Sequence, residues 1–232
     1  MSDSFKDQQK KYPRVRQAYA EKEEIIRDLL TKNDILLEGF RIHLRAFKAE
    51  KKIEVWARNK SDKTFTMIKE FAVCETSGNL GPKRKEGDLQ IPEGFYHINR
   101  FNPTSNFYLS LGINYPNAAD RVLAHKEKPG GDIFIHGACV TIGCLPITDD
   151  KIKELYLLCV EAKDQGQEKI PVTIFPARLT AEKYESLKSR YPDDSDKLNL
   201  WADLKQEHDH FATTKTLPQI TFLKNGRHTI SP

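Results

Sequence analysis

Polar and apolar positions repeat along this chain with two different periods, and the change of period divides it. Over residues 12–31 charged positions surround Val15, Tyr19, Ile25, Ile26, Leu29 and Leu30, a spacing that predicts an N-terminal helix. From Gly39 the period becomes two. Phe40, Ile42, Leu44 and Ala46 face one way and Arg41, His43 and Arg45 the other, as in a half-buried strand. Further strand-like runs cover residues 52–58, 64–74, 95–101 and 107–111, separated by Gly, Pro and Asn clusters. Short strands at such spacing predict an antiparallel sandwich or barrel.

Beyond residue 144 the helical period returns. Thr148, followed by Asp149 and Asp150, is the expected hydroxyl cap of a helix reaching about Ala162, with Ile152, Leu155, Tyr156 and Cys159 on one face. A strand near 172–175 follows, then helices over 180–190 and 195–211, the second with Leu198, Trp201, Leu204, His208 and Phe211 along one side. Asn225-Gly226 predicts a type I′ turn in a hairpin over 219–230. The pattern gives a mainly β, α+β fold in three parts: a helical extension over 1–36, a β domain over 37–177, and a helical and hairpin extension over 178–232.

Composition narrows the function classes. The 232 residues are 38% hydrophobic, enough for one substantial core. No run of about 18 apolar residues is present, so no transmembrane segment is predicted. The 37 basic and 33 acidic residues leave a net charge of +4 and are interspersed. Basic clusters such as Lys83-Arg84-Lys85 are short and lack an aromatic platform, which argues against nucleic acid as a partner.

The segment Ile133-Phe-Ile-His136-Gly137-Ala-Cys139-Val-Thr141-Ile-Gly143-Cys144 carries the candidate chemistry. A thiol is mostly protonated at neutral pH, so a nucleophilic Cys144 needs a nearby base, and His136 is the candidate. Gly143 permits a tight turn that aims the Gly143 and Cys144 amide N–H groups at one point, the construction of an oxyanion hole. Thr141 is placed to order that loop or to touch substrate. A zinc site is the weaker alternative: His136, Cys139, Cys144 and Cys74 number four ligands, but no Cys-x-x-Cys element supports them. No metal or cofactor is expected. Cys159 reads as a buried small hydrophobe, Cys74 as core or site lining, and Cys139 as structure next to the site.

A His-Gly pair followed by Thr141-x-Gly143-Cys144 resembles the active-site motif of the YkuD-type L,D-transpeptidase family. Ile142 and Pro146 stand where that family usually has a second histidine and an arginine. These departures, the short His-to-Cys spacing, and the segments 74–88, 92–96 and 114–121 resemble its YafK-like branch of murein enzymes. The resemblance runs from about Gly39 to near the C-terminus. It implies a β-sandwich catalytic domain over 37–177, and a cysteine enzyme acting on peptidoglycan stem peptides through a thioacyl intermediate. In that branch the implied reaction is hydrolytic release of a murein-linked lipoprotein, with transpeptidation as the alternative outcome. A non-catalytic wall-binding module would have lost Cys144 or His136, and both are present.

Lys83, Arg84, Tyr115, Asn117, Asp120 and Arg121 fall in the shared segments and are candidates for binding stem carboxylates and amides. The competing reading makes Tyr115-Pro116-Asn117 a turn, with Asp120 and Arg121 paired structurally. The implied location is the cell envelope or periplasm. The polar start Met1-Ser-Asp-Ser is no secretory signal, so a native signal peptide or anchor is expected to be missing ahead of it.

Overall fold

The structure, a computed structural model, describes residues 3–232. Two helices open the chain, α1 (Phe5–Lys10) and α2 (Pro13–Lys32). Pro13 sits at the first helical position of α2, where its missing N–H costs nothing. Strands β1 (Arg41–Phe47), β2 (Lys52–Arg58) and β3 (Thr66–Ala72) follow as an antiparallel meander. Then come β4 (Gly94–Asn102), β5 (Ser110–Ile113), α3 (Ala118–Leu123), β6 (Phe134–His136), β7 (Leu145–Pro146), α4 (Asp149–Asp164) and β8 (Ile170–Phe175). The chain ends with α5 (Ala181–Arg190), α6 (Ser195–Thr214) and a separate hairpin of β9 (Gln219–Phe222) and β10 (His228–Ser231). None of the described helices is long and apolar enough to cross a membrane.

The fold is α+β, as the sequence pattern predicts, with its first eight strands in one sheet ordered β3-β2-β1-β8-β4-β5-β6-β7. Pairing is mixed, because β8 runs parallel to β1 and β7 parallel to β6. The sheet curls until its two ends meet: the Cys74 amide just past β3 donates to Pro146 O of β7 at 2.9 Å.

The expected alternation in β1 holds, but the strand is buried on both faces. Ile42, Leu44 and Ala46 enter the main core with α2 and α4, while His43, Arg45 and Phe47 lie beneath α6, with His43 and Arg45 no more than 4% exposed. Half-burial fails because α6, far away in sequence, covers the polar face. His43 meets Phe211 edge-on, and Arg45 pairs with Glu207 at 3.3 Å. The N-terminal helix is tied to α4 by polar bridges: Tyr19 donates to Glu161 at 2.9 Å and Lys22 pairs with Asp150 and Glu154.

Two local expectations are corrected. Thr148 makes no side-chain cap on α4 and has φ 75°, because Asp149 turns back to accept from Ala138 N. In the last hairpin Gly226 alone has positive φ, 81°, and its N–H donates to Leu223 O. Asn225 lies outside that region, so the loop is a type I turn closed by a left-handed glycine rather than a type I′ turn.

Candidate active site

β6 and β7 place the two reactive side chains. Ile135 pairs with Leu145 and His136 with Pro146 in parallel register. Ile135 and Leu145 point into the core at 0% and 2% exposure. Side chains alternate along a strand, so His136 and Cys144 share the opposite side of neighbouring segments, offset along the strand direction. The parallel pairing therefore brings together residues eight apart in sequence.

The imidazole is held in one tautomer. Nδ1 lies 2.5 Å from Gly137 O, so it donates there and leaves Nε2 with a lone pair. Phe107 covers the ring at 4.5 Å between centroids, tilted 31°. The loop behind Phe107 is fixed by Arg14 of α2, whose guanidinium donates to Ser105 O and, at 2.8 Å, to Tyr108 O. Burial pushes the His136 pKa below its ordinary value, with the Gly137 carbonyl opposing. At neutral pH the ring is an uncharged acceptor.

Gly137 has no room for a side chain: a Cβ there would sit 2.4 Å from Asp149 Oδ1 and 2.7 Å from Phe107 O. Gly143 has φ 134°, where a Cβ would be strained.

Cys144 Sγ lies 3.7 Å from Asp132 O. Burial pushes the thiol pKa up; the Phe134 N–H and Lys83 oppose this, and Asp132 adds to it. The resting pair is therefore neutral thiol and neutral imidazole. The turn before Cys144 is organised as expected up to its last step. The N–H groups of Gly143 and Cys144 do converge, but on Thr141 Oγ1, at 3.1 and 2.8 Å. The same hydroxyl donates to Cys144 O at 2.8 Å. Thr141 thus orders the loop and occupies the point assigned to an oxyanion.

Cys74 and Cys139 form a disulfide across 65 residues. It ties the end of β3 to the loop between His136 and Cys144. Oxidised sulfurs are not thiolate ligands, so the four-ligand zinc alternative loses two members. Cys159 is fully buried in α4, as expected.

Cys144 opens into a cleft of about 490 Å³ shared with Lys83, Glu86, Lys128, Asp132 and Ile142. Among the expected substrate contacts, Lys83 is at this cleft, with its ammonium 2.6 Å from Asp88. Arg84, Tyr115, Asn117 and Asp120 lie in a structural network beside it. Arg84 forks onto Asp196 at 2.8 Å through both Nε and Nη2 and reaches Asp120 at 3.2 Å. Asp120 also accepts from Tyr96 and closes a capping box with Asn117 at the start of α3. Tyr115 donates to Lys83 O and Pro129 O. Asp120 pairs with Arg84 rather than with Arg121, which is exposed. The loop presenting Lys83 is pinned by the buried Lys48, which donates to Asn79 O, Gly81 O and Ile91 O and pairs with Glu93.

Arg14, Phe107, Asp132 and the disulfide escape a sequence reading. Asp149 is visible there only as a helix-start residue. Nothing local marks them, since each acts on a partner far away in the chain.

Cys144 thus opens into a charged cleft just before β7, and His136, buried and held in one tautomer, lies on the neighbouring strand β6. The YkuD L,D-transpeptidase catalytic domain matches residues 41–174, and the chain belongs to that family, whose members act on peptidoglycan. It is 32% identical over 202 residues to YafK of Escherichia coli (strain K12), which bears an L,D-transpeptidase name; the match spans 84% of this chain and 76% of YafK. Among solved structures it is similar to the helical cell shape determining protein Pgp2 from Campylobacter jejuni, with TM-score 0.46, 21% identity, and 80% and 73% of the two chains covered. Bd1075 of Bdellovibrio bacteriovorus gives TM-score 0.43 at 20% identity, covering 78% of this chain and 76% of its own.

Proposed function

We propose that this protein is a cysteine acyl-transfer enzyme that cleaves an amide at the D-centre of the stem-peptide diaminoacid, releasing a murein-linked lipoprotein by hydrolysis. The observation that carries the mechanism is the His136 tautomer: with Nδ1 committed to Gly137 O, Nε2 is the base. In this mechanism Sγ leaves Asp132 O and comes within hydrogen-bond reach of Nε2 as substrate enters. The proton passes to Nε2 and sulfur adds to the carbonyl carbon. The developing oxyanion displaces the Thr141 hydroxyl from the Gly143 and Cys144 N–H groups, exchanging a neutral acceptor for a charged one. Protonated His136 then gives its proton to the departing amine, leaving a thioacyl-enzyme. Water completes hydrolysis; an amine acceptor would complete transpeptidation.

Lys83 reaches the cleft already paired with Asp88, so an anionic stem would bind by competing with that carboxylate, and Arg84, Tyr115, Asn117 and Asp120 act by holding Lys83 and α3. The choice of water as acceptor rests on the resemblance of the sequence motifs to the YafK-like branch, whereas the L,D-transpeptidase name that YafK bears favours an amine. A location in the cell envelope follows from the substrate and suits the Cys74–Cys139 disulfide, which persists in oxidising compartments.

The test is intact-mass analysis of the protein incubated with lipoprotein-linked muropeptides. The expected result is a thioacyl adduct and free stem, both absent in Cys144→Ala. Cross-linked dimers in place of free stem would convert the reading to transpeptidation. Product formation undiminished in Cys144→Ala would overturn the cysteine mechanism.

A further inference from the structure

A second cavity, about 380 Å³, lies between β4, β8 and the C-terminal hairpin, within the size range of small-molecule pockets. Strand alternation decides what faces it. Lys169, just before β8, shares one face with Pro171 and Thr173, and Phe95 shares one with His97 on β4. The antiparallel register sets Phe95 against Thr173 and His97 against Pro171. Lys169 is therefore the diagonal neighbour of His97, close enough for a long side chain to reach it. The cavity has two unlike ends. Phe95 and Phe222, both packed on His228, make an apolar end with Ile220, and Lys169, His97 and Asn114 make a polar one.

The polar end consists of donors that lack acceptors. Lys169 is exposed, and its ammonium has no carboxylate partner among the described residues, since the adjacent Glu168 pairs with Lys163 at 3.6 Å. Asn114 spends Oδ1 on the His97 N–H at 2.7 Å, which leaves its Nδ2 donors free. The half-buried His97 ring makes no hydrogen bond among the described residues. Burial, and then the Lys169 charge, push its pKa down, so at neutral pH it is uncharged with one N–H to offer. The acidic residue of the lining, Glu207, stands at the other end. It is 1% exposed and paired with Arg45, whose register partner on β8 is Thr173. Four strand residues, about 13 Å, separate Thr173 from Lys169. An anion at the polar end meets an ammonium and is remote from that carboxylate.

We propose that this cavity is a ligand site, separate from Cys144, for a small molecule with an apolar body and a single carboxylate. The head accepts from Lys169, Asn114 and His97, and the body lies against Phe95, Ile220 and Phe222. A cationic head is disfavoured, because it would face the unpaired Lys169. The assignment does not depend on the proposed reaction.

The full-length protein is titrated with 4-phenylbutanoate and with 4-phenylbutylamine, followed by calorimetry and by amide NMR shifts. The acid is expected to saturate, shifting His97 and Ile220 and leaving Gly143 and Cys144 in place. The amine is expected to bind at least about tenfold more weakly, and Lys169→Met to weaken the acid by a similar factor while Lys169→Arg keeps it. Lys169 is exposed, so neither substitution threatens the fold. Ala118→Trp checks the cavity itself: that position is exposed at its edge, and the indole is expected to block entry and abolish binding. Absence of saturable acid binding, equal binding of the amine, undiminished binding by Lys169→Met or by folded Ala118→Trp, or shifts at Gly143 in place of Ile220 would each overturn the proposal.

Discussion

The loop that carries Cys144 and the sheet face beneath α6 both withdraw polar groups from water, but they satisfy them to different degrees. Around Cys144 the Thr141 hydroxyl serves two amides and a carbonyl, Gly137 O holds His136, and Asp149 holds Ala138 N. Beneath α6, His43 Nδ1, Arg45 Nε, Glu207 Oε1 and His228 Nε2 have no partner among the described residues. The first arrangement fixes a geometry, because the backbone amides and carbonyls of the loop are used by neighbours and only His136 Nε2 is left open. The second is bound mainly by apolar contact around an under-satisfied ion pair, so its polar atoms cost stability.

That contrast is broken most directly at Arg45. Arg45→Met leaves Glu207 buried beside no cation, and a loss of about 3–5 kcal/mol in unfolding free energy is expected. Arg45→Met combined with Glu207→Leu should recover most of it, since removing both charges removes both desolvation costs. Urea unfolding of the two variants decides: a single variant as stable as wild type would show that the α6 face is well hydrated and the contrast false.

The disulfide is the next lever, on the Cys144 side. Cys139→Ser frees the His136-to-Cys144 loop from β3 and releases a 65-residue separation in the unfolded chain. About 2–4 kcal/mol of stability is expected to go, together with most of the turnover. Reduction of the wild type should reproduce both losses. Turnover that survives reduction would mean that hydrogen bonds alone fix the loop.

Thr141→Val tests those hydrogen bonds. It strands two amides and one carbonyl at a cost of about 1–3 kcal/mol, and kcat should fall on the order of 100-fold through lost positioning. Thr141→Ser keeps the hydroxyl and should stay within a few-fold of wild type. Equal kcat for the valine and serine variants would remove Thr141 from the site's organisation.

What was legible in the sequence follows the reach of each interaction. Period-two alternation located β1, and β2 emerged with the expected bounds, because side-chain direction is a local property. Burial of Arg45 was not legible, since it depends on a helix about 150 residues later. His136 and Cys144 were legible as a short motif. The arrival of Cys74 at Cys139 was not, because it requires the sheet to curl until β3 meets β7. Arg84 and Asp120 looked like ligand-binding residues for the same reason: a charge in sequence does not disclose that its counter-ion, here Asp196, is already in place.

The smallest effect concerns the charge states of Cys144 and His136. Burial raises the Cys144 pKa and lowers that of His136, so the thiol stays protonated and the imidazole neutral between the two values. Proton transfer then belongs to the reaction with substrate, not to the resting enzyme. The rate of iodoacetamide alkylation at Cys144 should rise with pH through and beyond the ordinary thiol range. A plateau extending below neutral pH would instead signal a preformed thiolate–imidazolium pair. Asp132, which is exposed, adds to the upward shift. Asp132→Asn should therefore move the alkylation curve to lower pH, and only slightly, because solvent screens an exposed carboxylate. A shift in the opposite direction would mean that the Asp132 carboxylate does not hold the thiol pKa up.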